Sequence, residues 1–110
     1  MKIEGKKIVI IDDHKLFTEG LSSILSNIGL RVMCTFDDGK EAIPYLLSTQ
    51  VDIVFSDINM PKVDGLQLCK TITRQSKTKI IILSMYEDKH IINEALKCGA
   101  SGYLSKNSSQ

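Results

Sequence analysis

The sequence KIVIIDDH, residues 7–14, sets an apolar run directly before two acids and a histidine. Lys7 to Ile11 shows no alternation of polar and apolar residues, which is typical of a strand buried on both faces. Ile53 to Phe55 and Lys79 to Leu83 repeat this pattern farther along the chain. Such strands predict a parallel sheet that is covered by helices.

Helical periodicity follows the first strand. One stripe of a helix is formed by Phe17, Leu21, Ile24, Leu25 and Ile28. Gly29 comes next as a plausible C-cap. The first crossover connection is therefore predicted to be a helix.

The next two elements are a strand over Leu30 to Phe36 and a helix that runs through Leu47. Asp38, with Glu41 three residues later, resembles a capping box at the start of that helix. Pro44 lies inside it and removes a backbone donor. We therefore expect either a kink or a helix that starts later than Asp38.

Two more helices and a final strand complete the pattern. Apolar residues at helical spacing follow Gly65 and precede Gly99, and they are Leu66, Cys69, Ile72, Ile91, Ile92, Ala95 and Leu96. A short strand is predicted over Gly102 to Ser105. Strands that alternate with helices in this way predict right-handed βαβ units and an open, doubly wound α/β sheet.

Composition restricts the protein class. The chain has 110 residues, 14 basic against 13 acidic side chains and a net charge of +1, so we expect one domain without a field that attracts nucleic acid or anionic lipid. Its three cysteines are widely spaced, which favours a reducing cytosol over a disulfide framework or a zinc site. We find no signal peptide and no segment of the ~20 apolar residues that cross a membrane.

Polar residues follow four of the predicted strands. They are Asp12 and Asp13 after the first strand, Asp57 after the third, Ser84 after the fourth and Lys106 after the fifth. In a doubly wound sheet the carboxyl ends of the strands form the site, so the three carboxylates should converge and repel one another unless a cation intervenes. Oxygen ligands favour Mg²⁺, although Mn²⁺ is an alternative.

Phosphoryl transfer needs a nucleophile, positive charge and donors to the phosphoryl oxygens. Asp57 would be the nucleophile, Lys106 a cation and Ser84 a hydroxyl donor. The product would be an acyl phosphate.

Four motifs resemble the response-regulator receiver domains of two-component systems in order and spacing. These are IIDDH, the run DINMPKVDG from Asp57 to Gly65, the serine of LSMY, and GYLSK ending at Lys106. The resemblance covers nearly the whole chain. It implies a flavodoxin-like sheet with strand order 2-1-3-4-5.

The resemblance also implies individual roles. A metal site would be formed by Asp12, Asp13, Asp57 and the backbone carbonyl of Asn59, with Asp57 as phosphoacceptor. Ser84 and Tyr103 would form the switch. Asn59 and Tyr86 would occupy positions that tune the loss of the phosphoryl group. A sensor histidine kinase would be the phosphoryl donor.

The amino-acid sequences of the motifs are similar to those of the NarL/LuxR-type subgroup, whose members usually carry a C-terminal helix-turn-helix that binds DNA. No such module lies in residues 1–110, so DNA binding would belong to a missing output domain. A fifth helix of the family is also expected to be absent. We therefore expect an open apolar sheet face that drives homodimer formation or domain swapping.

Two other functions are compatible with parts of this pattern. A Mg²⁺-dependent phosphatase of the haloacid dehalogenase type would also form an aspartyl phosphate, but it needs a second acid where this chain has Asn59. A receiver-shaped interaction module that does not take phosphate would usually lack one of the acidic or lysine positions.

Three residues near the predicted site have less specific interpretations. His14 is expected at the surface or at a helix start rather than as a metal ligand, since imidazole suits Mg²⁺ poorly. Asp64 and Gly65 are expected to form a turn.

Overall fold

The computed structural model describes residues 4–58, 64–85 and 89–106, and within them the chain alternates between strands and helices. The strands are β1 (Lys7–Ile11), β2 (Arg31–Phe36), β3 (Ile53–Asp57), β4 (Lys79–Ser84) and β5 (Gly102–Ser105). The helices are α1 (Lys15–Asn27), α2 (Gly39–Ser48), α3 (Gly65–Gln75) and α4 (Lys89–Lys97). All strand pairs are parallel and their order is β2-β1-β3-β4-β5, which confirms the predicted doubly wound sheet.

Alternate strand residues contribute to two apolar layers. Val9 and Ile11 of β1 belong to a large cluster that includes residues from α2, α3 and α4. Ile8 and Ile10 point to the opposite face and pack with Leu25 of α1. Because both sets are fully buried, the absence of alternation in the sequence is explained by a sheet that is covered on both sides.

The α1 side is the less completely covered face. Within the described residues, α1 is the only helix packed against it, and Leu16, Ile24 and Leu104 remain 86%, 60% and 40% exposed. A groove of about 420 Å³ between α1 and the end of β5 is lined by these three side chains. An open apolar sheet face was expected from the sequence. Among the described residues, Leu104 of β5 is exposed on this side, whereas the sheet residues Ile8, Ile10, Phe55 and Leu83 are buried.

The start of α2 differs from one of the two alternatives drawn from the sequence. Asp38 is the N-cap, and its side chain accepts a hydrogen bond from the backbone N–H of Glu41 at 2.9 Å. The helix continues through Pro44 to Ser48, so the expectation of a later start was wrong. Proline removes a single helical bond here, to the carbonyl of the exposed residue Lys40, and water can satisfy that carbonyl.

Candidate functional site: an acidic pocket at the carboxyl ends of the strands

The sheet register brings the predicted polar residues to one edge. Ile11, the last residue of β1, lies opposite Ser56, so that Asp12 follows β1 where Asp57 ends β3. Ser84 ends β4 opposite Ser105, and Lys106 comes next in the chain. The convergence expected from the sequence is therefore present.

Carboxylates dominate this edge. Asp12 and Asp57 are both 3% exposed, whereas the Asp13 side chain is 44% exposed. One ligand atom from each of Asp12, Asp13, His14 and Asp57 lies within 4.8 Å of all the others. Acids this close repel one another, so the pocket requires positive charge.

Lys106 supplies part of that charge. Its side chain is 3% exposed, and its Nζ lies 2.5 Å from Asp12 Oδ2 and 3.4 Å from Asp57 Oδ2. The aliphatic side chain passes Phe17 of α1, with Nζ 4.8 Å from the ring centroid. The backbone N–H of Lys106 donates to the carbonyl of Ser84 at 2.7 Å, which fixes the loop after β5 against β4.

The donor set fits a divalent cation. Three carboxylates carry more negative charge than one ammonium group balances. Asp12 Oδ2 is buried and makes no hydrogen bond of regular geometry within the described residues, its contact with Lys106 being electrostatic. Oxygen donors of this kind are the ligands that Mg²⁺ and Mn²⁺ prefer.

The first turn of α1 also belongs to the pocket. His14 is the N-cap of α1, as expected from the sequence, and its backbone N–H donates to Asp12 Oδ1 at 2.9 Å. Thr18, buried one turn later, donates to the carbonyl of His14 at 3.2 Å. Sequence reasoning missed the position of the His14 ring, whose Nδ1 lies 3.0 Å from Asp12 Oδ1.

Gly65 determines how closely α3 approaches the end of β3. Its N–H donates to the carbonyl of Ile58 at 2.9 Å. A Cβ at this position would collide with the carbonyl oxygen of Asp57. Asp64 is the N-cap of α3 and accepts from the N–H of Gln67 at 2.8 Å, so Asp64 and Gly65 begin a helix rather than form the turn that was expected from the sequence.

Ser84 and Tyr103 occupy different environments. Ser84 is fully buried at the end of β4. Tyr103 is half-buried and packs against the large apolar cluster on the α2–α4 side of the sheet. The backbone carbonyl of Asn59 was predicted as a metal ligand, and Asn59 and Tyr86 were predicted to tune the loss of the phosphoryl group. Both residues lie outside the described part of the chain.

Comparison with known proteins agrees with this fold. Residues 8–110 match the family model described as the response regulator receiver domain. The chain belongs to this family.

Individual relatives support the assignment. The chain is 40% identical over 102 residues to the transcriptional regulatory protein DegU of Brevibacillus brevis, covering 91% of this chain and 43% of DegU. It therefore spans less than half the length of this relative.

Solved structures show the same fold. The signal receiver domain of NarL from Mycobacterium tuberculosis has a TM-score of 0.89 at 31% identity, covering 96% of this chain and 87% of that one. The CheX-CheY-BeF3-Mg²⁺ complex from Borrelia burgdorferi has a TM-score of 0.89 at 27% identity, covering 96% and 81%. Among the described residues of this receiver domain, no helix is long and apolar enough to cross a membrane.

Proposed function

We propose that this receiver domain is a Mg²⁺-dependent switch that accepts a phosphoryl group on Asp57. The observation that carries the proposal is the position of Asp57, buried at the end of β3 within 3.4 Å of the Lys106 ammonium and beside two further acids. The similar complex from Borrelia burgdorferi contains Mg²⁺ and BeF3, which is in line with a divalent cation in this family.

Each residue contributes a different part of the reaction. A carboxylate oxygen of Asp57 attacks phosphorus, and the bond from phosphorus to the donor atom breaks with its electron pair leaving on the donor. Lys106 neutralises charge on the phosphoryl oxygens, and Ser84 offers a hydroxyl donor. Asp12, Asp13 and the carbonyl of Asn59 would hold Mg²⁺ together with Asp57. Bound Mg²⁺ would supply the second positive charge at the phosphoryl group.

The switch would act through Ser84 and Tyr103. Ser84 reorients toward the phosphoryl group, and Tyr103 changes its packing against the α2–α4 cluster. Tyr103 is half-buried there, so part of its side chain already faces solvent. The output surface would be α4, β5 and their neighbouring loops. Phosphorylation then shifts an equilibrium between two surfaces that already exists in the free protein.

The wider setting follows from the family. The phosphoryl donor would be a sensor histidine kinase in the cytoplasm, and the domain would catalyse only its own phosphorylation and dephosphorylation. Relatives such as DegU are transcriptional regulators. We therefore propose that the full-length protein controls transcription through a C-terminal helix-turn-helix domain outside these 110 residues.

Intact mass spectrometry tests the phosphoacceptor. The untagged chain is incubated with acetyl phosphate and Mg²⁺, beside Asp57→Asn, an EDTA sample and the control variant Asp37→Asn, an exposed acid near the same edge. One phosphoryl increment is expected in the wild type and in Asp37→Asn only. A folded wild-type chain that gains no phosphoryl group would refute the proposal.

A second copy of the chain is the partner that we propose for the α1 face. An antiparallel pairing of two α1 helices about Gly20 would set Leu16 of one copy against Ile24 of the other. Nothing lies within 4 Å of a Cβ at Gly20, so the helices can approach closely there. Sedimentation equilibrium should show self-association that Leu16→Glu weakens, and a strictly monomeric wild type would contradict it.

A further inference from the structure

His14 contacts the acidic pocket through its ring although it is not one of the acidic or lysine positions of the receiver site. Its Nδ1 lies 3.0 Å from Asp12 Oδ1, 3.6 Å from Asp13 Oδ1 and 4.0 Å from Asp57 Oδ2. The side chain is 62% exposed, so the ring is accessible from solvent. A single nitrogen therefore faces three carboxylates at short range.

A cation already occupies the space between these atoms. The Lys106 ammonium lies 3.0 Å from His14 Nδ1 as well as close to Asp12 and Asp57. An ammonium group offers only donors, so the contact with Lys106 is a hydrogen bond in the tautomer that leaves a lone pair on Nδ1. In that tautomer the lone pair also faces Asp12 Oδ1 at 3.0 Å, and the ammonium group of Lys106 holds the position that a metal cation would take between the two atoms.

Two of the three separations fit an octahedral ion. Two ligand atoms at about 2.1 Å from such an ion are about 3.0 Å apart when adjacent and about 4.2 Å apart when opposite. The 3.0 Å distance from Nδ1 to Asp12 Oδ1 matches an adjacent pair and the 4.0 Å distance to Asp57 Oδ2 is close to an opposite pair, whereas the 3.6 Å distance to Asp13 Oδ1 lies between the two values. The buried Asp12 Oδ2, which lacks a regular hydrogen bond among the described residues, is a further oxygen beside the same space.

We propose that His14 Nδ1 is a direct ligand that makes this pocket a site for divalent first-row transition ions as well as for Mg²⁺. The inference rests on the proposed function, because it uses the same carboxylates. Imidazole nitrogen binds ions such as Co²⁺, Ni²⁺ and Zn²⁺ far better than it binds Mg²⁺. His14 therefore raises the affinity for the transition ion selectively, and such an ion competes with Mg²⁺ for the phosphoacceptor.

The variant His14→Asn removes the imidazole without removing the helix cap. Asparagine is among the most favourable N-cap residues, so α1 should still begin at Lys15. The chain contains only two histidines, and His90→Asn on α4 is the matched control. Circular dichroism of both variants establishes that they are folded.

Pulsed EPR on bound Mn²⁺ gives a direct readout of nitrogen coordination. Untagged wild-type protein and His90→Asn should show ¹⁴N modulation from a coordinated imidazole, and His14→Asn should not. Calorimetry at constant pH should show Co²⁺ binding weakened by at least about tenfold in His14→Asn, with Mg²⁺ binding changed by less than about twofold.

The outcomes separate this inference from the proposed function. If Mn²⁺ binds without ¹⁴N modulation, or if Co²⁺ and Mg²⁺ weaken equally in His14→Asn, His14 is not a ligand and the oxygen-only Mg²⁺ site stands. If the folded wild type binds neither Mn²⁺ nor Mg²⁺, the metal-dependent function and the ligand role of His14 both fail.

Discussion

Replacing Gly65 with alanine should destabilise the fold and slow the phosphorylation of Asp57 together. The added Cβ would meet the carbonyl oxygen of Asp57 and would lie 2.8 Å from Ile58 Cα. These are backbone atoms, which cannot move aside as a flexible side chain does. Ordinary contact begins at 3.4 Å, and the contact with the Asp57 carbonyl oxygen is the tightest, so α3 and the end of β3 must separate by about 1 Å.

The magnitude follows from two opposing effects. Overpacking of this size costs roughly 1 to 3 kcal/mol. Alanine regains up to about 1 kcal/mol through its helix preference, and less at the first residue of a helix. We expect the free energy of unfolding to fall by about 2 kcal/mol. Because a displacement of about 1 Å at a reacting group can cost a factor of 10² in rate, phosphorylation should slow by about tenfold or more.

Urea unfolding followed by circular dichroism measures the first effect, and the rate of adduct formation with acetyl phosphate measures the second. Gly20→Ala is the matched control, because a Cβ there meets nothing within 4 Å and should stabilise α1 by about 0.5 to 1 kcal/mol. If Gly65→Ala were as stable as the wild type and were phosphorylated at the same rate, the close approach of α3 would have no role.

Three further predictions concern buried polar groups and a helix cap. Lys106→Met should lower the free energy of unfolding by about 3 kcal/mol, since Asp12 and Asp57 lose their cation; Lys70→Met, at an exposed position, should stay within about 0.5 kcal/mol in the same urea experiment. Burial, with a smaller contribution from Cys98, raises the pKa of the Cys69 thiol from 9.0 to about 11. Because the folded-state pKa is raised, the contribution of this thiol to stability is fully present below pH 9 and is lost as the pH rises through about 11. The free energy of unfolding of Cys69→Ala, measured by urea titrations at a series of pH values, should therefore fall less steeply at alkaline pH than that of the wild type. An equally steep fall in both proteins would contradict this. Asp38→Ala should cost about 1 kcal/mol by removing the cap of α2, and a thermal midpoint equal to that of the wild type would be inconsistent with the observed hydrogen bond.

Sequence patterns predicted the sheet well because its strands are buried on both faces. Apolar β-branched runs such as Lys7–Ile11 have few alternatives, and the glycines after α1 and α4 mark the helix ends. Gly29 and Gly99 both adopt positive φ, at 95° and 102°, which explains why glycine stands there. The start of α2 was harder to predict, because Pro44 favoured a later start whereas the capping pattern of Asp38 and Glu41 favoured a start at Asp38. The cap determined the start of the helix.

The pocket was predicted in composition but not in detail. Strand ends identify the acids and Lys106, since the topology places all of them at one edge. The direction of the His14 ring depends on the turn between β1 and α1, and residue spacing does not specify it. The close approach of Gly65 to Asp57 depends equally on how α3 packs, because the two residues are eight positions apart in different elements.

The charge of the pocket gives a physical reason for the proposed combination of a divalent cation with a phosphoryl group. With Asp12, Asp13 and Asp57 counted as carboxylates and Lys106 as an ammonium group, the formal charge is −2, and a phosphoryl donor is itself anionic. A divalent ion would bring the pocket to neutrality before the donor arrives. In the proposed mechanism, phosphorylation would replace one carboxylate by a group with more negative charge, and the contacts of Lys106 would change. The backbone N–H of Lys106 donates to the carbonyl of Ser84 at the end of β4. A change in the contacts of Lys106 would therefore also act on the ends of β4 and β5.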